Sequence, residues 1–529
     1  MLRTLLLSLT LLALTCVPAG AQLLDEGLVP KGRFRVRAAP SFSSWDQRFG
    51  RSADGVDRTE SLGDDLTDET GVSLFPAIAD LETEIRALTG IGDFAGLLGA
   101  AEGYVNQDVT RIDFGGHLGV LDWLTVGVIV PWVKTRSAVE VAFTPDTVNG
   151  TLGLNPTITN TDGVISFLDA LSTAQSAVQT RADALCASGP GAAGCGEATS
   201  LLERVGAVRT AAERAYFASG FFPMQGTPAA EALGTVSDGL NTDLVAAGLS
   251  ELFAPMVFAT DWLTADALVG LPAQGPSGLQ AQPLQGTDPL WAVGDIEVSA
   301  LARVLAGEVR DSGAAAPSLR YAVHVGGVAR LGTGTFQAQD VFLDVGTGDA
   351  QMDYEGRVSA SLVFGSRLAV RAGVRYGVQQ SLSLLRRVAA PEVAMPSSTT
   401  LRAVRWSPAS YLGFEAEPGV RLSDELSLTG HYRMFDKGTD AYEMIGDPPA
   451  GSRPVDIAVL GQESGVSLHQ VGLGVRYSTV PTWQAGEHSR AIEMHARVVR
   501  AVAGSGGHTP RDTRVEVGIS LFRGIWGGS

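Results

Sequence analysis

The chain has 529 residues, of which 18% are charged and 64 are glycine, and its formal net charge is −18. That acidic balance argues against nucleic-acid partners, because a phosphate backbone is bound by surplus lysine and arginine. Few charges combined with many glycines is unusual for a large soluble enzyme, whereas strands with one face in lipid and small residues on the other produce both.

The N-terminus reads as an export signal. Arg3 supplies a positive start, Leu5 to Val17 is apolar, and Ala19-Gly20-Ala21 is the small-x-small pattern cut by signal peptidase, leaving Gln22 first. Cys16 follows Thr15, which is bulkier than a lipidation site prefers, so cleavage after Ala21 is expected. No later window holds an apolar run long enough for a transmembrane helix. The expected organisation is a signal peptide at 1–21, three strands with a long first loop at 22–143, a helical insertion at 144–290, and the remaining strands at 291–529.

Beyond the signal, a first strand is expected near Arg33 to Phe42. Ile78, Leu81, Ile85 and Leu88 then fall at helical spacing, predicting a short amphipathic helix in the first outer loop. From Arg111 the period becomes two. Ile112, Phe114, Gly116, Leu118 and Val120 share one face, and Arg111, Asp113 and His117 the other. Past a short turn the row resumes with Leu124, Val126, Val128, Val130 and Trp132. Pro131 has no amide donor and is read as a bulge or rim position, after which the apolar row shifts parity to Val139, Val141 and Phe143.

Between Thr144 and Leu290 the alternation stops. Val164 to Leu185 and Ala198 to Ala218 are Ala-rich with helical period, and they flank Ser188-Gly-Pro-Gly191. Cys186 and Cys195 bracket that turn. In an exported chain two such thiols predict a disulfide across the tip of a helical hairpin, the alternative being two unpaired small residues. A Pro/Gly-rich run from Leu271 to Pro289 leads back to alternating strands.

Nine further strands follow, beginning near Ile296, Tyr321, Val358, Leu368, Phe414, Leu426, Val471, Ile492 and Val515. Twelve strands in all is an even count, and short turns alternate with long loops, the asymmetry of a bacterial up-and-down barrel. The fold class expected is therefore all-β, a transmembrane antiparallel up-and-down β-barrel with an α-helical hairpin inserted in an extracellular loop. Trp123, Trp132, Tyr354, Tyr432 and Tyr477 suit interfacial girdles. The apolar rows would face outer-membrane lipid.

The opposite face gives the pore-lining candidates Arg111, Asp113, His117, Glu297, Arg303, Arg320, His324, Arg357, Arg371, Arg375, Glu415, Glu417, Arg433 and Arg497. Glu355, Glu493, Glu516, Arg330, Arg476 and Arg514 share that parity. Two readings stand: a charged ladder guiding a solute, or a salt-bridged filling that closes a narrow barrel. The near balance of signs leans slightly to filling.

Three short motifs carry a family resemblance: Val293-Gly-Asp-Ile-Glu-Val298, Gly327-Val-Ala-Arg-Leu-Gly-Thr-Gly334 and Asp344-Val-Gly-Thr-Gly-Asp349. With them, Val105 to Phe143 and Trp291 to Phe522 resemble the outer-membrane transporter-like barrels named for the MetA pathway of phenol degradation, similar in style to long-chain fatty acid transporters. The resemblance implies a passive channel or facilitator for small molecules, hydrophobic ones included. Such barrels usually finish on an aromatic residue, whereas here Trp526 is followed by Gly-Gly-Ser and Phe522 has inward parity.

No catalytic residue is assigned. A Gly-x-Ser-x-Gly elbow is absent, and His117, His324, His431 and His495 each stand alone on their strands, as polar lumen residues do. Asp344 to Asp349 could wrap Ca²⁺, but it lacks the twelve-residue spacing of a calcium loop and is read as a tight turn. No cofactor or metal is expected. The expected partners are outer-membrane lipid, a small-molecule solute and the barrel assembly machinery, and the location is the bacterial outer membrane. The leading function is passage of a small solute. The alternatives are a surface-display or adhesion protein working through the helical insertion, and an outer-membrane hydrolase.

Overall fold

The computed structural model describes residues 27–50, 58–250, 252, 254–270, 290–310, 317–338, 344–448, 454–506 and 509–525. The export signal with its cleavage site, the Pro/Gly-rich run and Trp526 lie outside the described residues.

The alternating segments become twelve long strands: β1 (Arg33–Trp45), β2 (Gly99–Leu121), β3 (Leu124–Pro145), β4 (Ile296–Val309), β5 (Leu319–Leu331), β6 (Asp353–Phe364), β7 (Leu368–Gln379), β8 (Tyr411–Arg421), β9 (Leu426–Lys437), β10 (Val466–Ser478), β11 (Ile492–Ser505) and β12 (Thr513–Gly524). Each pairs antiparallel with its neighbour in the chain, and β1 pairs with β12, so the ladder closes. Closure leaves no strand edge needing a partner, the condition for a sheet to span hydrocarbon. Turns of two to four residues at 122–123, 365–367 and 422–425 gather at one end, and the long loops at the other.

The outward face is apolar on every side of the barrel. Val36, Val128, Val298, Val325, Val358, Val374, Leu473 and Val517 are all exposed. A continuous exposed band of this kind is solvated by lipid tails and not by water. Trp123, in the turn before β3, and Trp132 on β3, both exposed, bracket it. At ~3.4 Å per residue the strand between them runs ~30 Å, or about 23 Å along the axis of a barrel tilted about 40°. That matches a membrane's apolar thickness.

Pro131 is not a bulge in the β2–β3 ladder. It pairs in register with Asp113, and the one irregularity in that ladder lies between Gly119 and Leu121. On its other edge Pro131 does mark a rim: the β3–β4 ladder ends at Ile129 opposite Glu297, and the Gly294 amide donates to the Pro131 carbonyl at 2.9 Å. The apolar row does change face toward Val139, Val141 and Phe143, but without a break in the ladder. Val126, Val128, Trp132, Arg136 and Glu140 share one exposed face, while Thr125, Val133 and Val139 on the other are buried. The pleat runs on unbroken, and what changes is the surroundings of each face.

Above the band, β2 and β3 extend as a hairpin whose inward face supports a helical cap. Ala101, Val105 and Val139 share one buried cluster with α1 (Ile78–Thr89), α2 (Thr161–Cys186), α3 (Cys195–Ala218) and α4 (Pro228–Ala246). The first-loop helix and the insertion, separate in sequence, thus form a single core, with α1 packed on α3 and α4. Asn160 caps α2 by accepting from the Gly163 amide. The hairpin turn closes through a Cys186–Cys195 disulfide, and Gly194 enters α3 with φ at 79°, a conformation that favours glycine. Asn155, fully buried, donates to the carbonyls of Tyr216 and Ser219 at 2.8 Å each, pinning the loop before α2 to the end of α3.

The three glycine motifs meet at one place beside the β3–β4 rim. Asp295 accepts from the Gly334 amide at 2.8 Å and from the Asp349 amide at 3.0 Å. Thr333 donates to the Gly294 carbonyl, and Thr135 of β3 donates to the Val345 carbonyl. A Cβ on Gly348 would run into the Asp295 carboxylate, which could move aside only by giving up its bonds to the Gly334 and Asp349 amides. The motifs fold the β5–β6 loop across the stretch where β3 and β4 part. Burial, with Asp295 beside it, raises the Asp349 carboxyl above its ordinary range.

Candidate functional site

Inward parity places charged side chains from nearly every strand in one enclosure. It is a cavity of about 850 Å³ reaching from Gly27 at the short-turn end to Pro510 and Asp512 at the long-loop end. Of the fourteen pore-lining candidates, Arg111, Asp113, His324, Arg357, Arg371, Arg375, Glu415, Glu417, Arg433 and Arg497 line it. The other four lie outside its lining. His117 is buried with its ring against Gly115 and Gly127. Glu297 pairs with Arg330 at 3.0 Å. Arg303 turns down to the short-turn end, where it donates to the Asp122 carbonyl beside a bulge in β4. Arg320 lies toward the same end, near Arg421.

The charges are organised around a few glutamates. Glu355 has a fully buried side chain and receives Tyr411 at 2.7 Å, Arg330 at 3.2 Å, Arg375 at 3.7 Å, and Arg357. Glu516 takes both oxygens to Arg497 at 2.7 Å, with His495 at 3.3 Å and Arg37 at 3.8 Å. Glu417 holds Arg371 at 3.4 Å and His431 at 3.3 Å. Glu493 pairs with Arg476 at 2.8 Å. Ion pairs of this density, buried and hydrogen-bonded on several sides, fix the wall of the lumen more than they add stability. Space remains inside nonetheless, so the charges line the barrel without filling it.

Several lining residues were not singled out by sequence. Arg35, Arg37 and Ser41 of β1 line the cavity, and the alternation of β1 would have exposed them had its register been drawn. Phe435 and Leu468 place apolar surface inside, opposite each other across β9 and β10. At the short-turn end, the segment before β1 bends into the lumen. Leu28 and Val29 are buried, the Val29 amide donates to Thr125 Oγ1 at 2.8 Å, and a Cβ on Gly119 would strike the Pro30 carbonyl. No local pattern in the sequence announces that contact.

No protein-family model and no curated protein matches the chain. Solved structures of similar shape include an outer membrane channel from Pseudomonas putida F1, 8% identical, covering 94% of this chain and 97% of that one, with a TM-score of 0.39. The translocator domain of the autotransporter NalP from Neisseria meningitidis is 8% identical over 95% of this chain and 93% of its own, at 0.26. The toluene transporter TbuX of Ralstonia pickettii is 9% identical over 94% and 90%, at 0.25. None reaches a TM-score of 0.5, and it is the closed ladder of twelve strands that defines the fold.

Proposed function

We propose that the chain is a bacterial outer-membrane barrel that lets a small solute, with an apolar part, pass without energy input and without chemistry of its own. One observation carries this: a closed ladder with a lipid-facing exterior encloses an 850 Å³ cavity whose lining runs from one end of the barrel to the other. The short-turn end then faces the periplasm, and the helical cap lies outside the cell. Membership of the MetA-pathway phenol-degradation group, suggested by the glycine motifs, belongs to the same proposal, as do export by the N-terminal signal and insertion by the barrel assembly machinery. The neighbours named as a channel and a toluene transporter accord with it.

Reconstitution into planar bilayers tests the reading. Discrete conductance steps are expected from the intact chain, or from a variant lacking 144–290 if the cap restricts the mouth. A flat trace from both would overturn passage as the function.

A further inference from the structure

The lumen is not neutral. Among the described residues lining the cavity there are ten arginines against six carboxylates, and Glu355, which holds Arg357 and Arg375 from behind the wall, still leaves a positive surplus inside a chain whose net charge is −18. Where the surplus gathers can be read from the pairing. Glu516, Glu417, Glu493 and Asp113 each hold an arginine, and Asp512 accepts from Gln470 at 3.0 Å. Arg433 makes no ion pair among the described residues, not even with Glu415, its direct cross-strand neighbour. Arg514 has Nε and Nη2 buried with no hydrogen-bond partner. Arg433 lies within electrostatic reach of both Arg514 and Arg497, with Glu415 and Glu516 in partial opposition.

Positive charges gathered on a lumen wall without a full set of counter-charges are costly unless an anion completes them. Each guanidinium presents a planar fork of N–H donors matched to a planar carboxylate. Phe435 follows Arg433 by two residues on the same face, with Leu468 opposite, so an apolar surface stands one step along the strand from the cations. The geometry points to a small organic carboxylate with an apolar body as the solute, its carboxylate received by Arg433 and Arg514 and its body by Phe435 and Leu468. This rests on the barrel being a passage, and adds the chemical class of what passes.

The test combines two readouts on the full-length protein, with benzoate as probe. In bilayers under a KCl gradient, the reversal potential should show preference for chloride, and millimolar benzoate should reduce the current. In detergent, titration calorimetry should detect benzoate binding. Replacing both arginines (Arg433→Gln with Arg514→Gln) should weaken benzoate about tenfold or more and move the reversal potential toward zero. The charge-preserving pair Arg433→Lys with Arg514→Lys, a control for folding, should keep the chloride preference while losing affinity. Phe435→Ala should weaken benzoate but not inorganic phosphate. A conducting channel that prefers potassium, or one whose benzoate affinity is unchanged by the glutamine pair, overturns the inference and leaves passage standing. Binding of benzoate without any conductance supports the site and overturns passage. Phosphate binding as tightly as benzoate overturns the organic part of the assignment.

Discussion

The lower and upper halves of the β2–β3 hairpin share one pleat and one alternation, yet their chemistry is inverted. Below Trp132 the outward residues include Val126 and Val128, and the inward ones include Gly127 and Thr125. Above it the outward residues include Arg136 and Glu140, and the inward ones include Val133 and Val139 beside the polar Thr135 and Ser137. The difference teaches that a strand's side-chain pattern reports its two solvents rather than a fixed inside and outside. Lipid and lumen apply below; water and a helical core apply above.

Substitutions at matched positions should break or sharpen that contrast. The largest effect is expected at Val139, buried against the helices: Val139→Lys places an unpaired cation in the cap core and should cost about 3–5 kcal/mol, read as loss of the helical circular-dichroism signal with the barrel retained. Val128→Arg, on the lipid face, should cost about 2–4 kcal/mol in refolding into vesicles, with the cap untouched. The same arginine at outward position 140 should be nearly silent. Breaking the disulfide by Cys186→Ser with Cys195→Ser should lower cap stability by about 2 kcal/mol, seen as an earlier first transition on heating.

The smallest effect concerns Asp349, in the loop over the β3–β4 rim. Its folded value is raised, so its stabilising contribution is present in full at pH below the unfolded carboxylate range and is lost as pH rises through the folded value. Asp349→Asn should therefore slow hydrogen exchange at the Thr347 amide at pH 7, by a few tenths of a kcal/mol. At pH 4 the two proteins should differ less.

The twelve strands were legible because one-sided burial imposes a period of two, and that period survives in residues such as Val515, Val517 and Ile519 whatever their partners. The cap was half legible. Ile78, Leu81 and Ile85 announce a helix, but nothing local says that this helix shares a core with one that begins at Cys195. Pro131 misled for a related reason: a missing amide matters only on the edge that faces β4, and which edge that is depends on register. In the lumen, parity found Arg371, Glu417 and Arg433, because alternation alone decides what points inward. It could not tell which arginines are neutralised, since Arg497 pairs with its cross-strand neighbour Glu516 while, among the described residues, Arg433 makes no ion pair with its own, Glu415. The fold of Leu28 and Val29 into the barrel rests on contacts with Thr125, ninety-six residues from Val29, and with Gly119, and leaves no trace in either segment.

The decisive measurement is a spin-label scan of β3 from Val126 to Ala142 in lipid vesicles, comparing collision with dissolved oxygen and with a water-soluble nickel complex. Labels at positions 126, 128 and 130 should favour oxygen, labels at 136, 140 and 142 should favour nickel, and the crossover should fall near Trp132. Nickel accessibility at 126 and 128 equal to that at 140 would mean that water surrounds the whole strand, and a membrane barrel would no longer describe this protein.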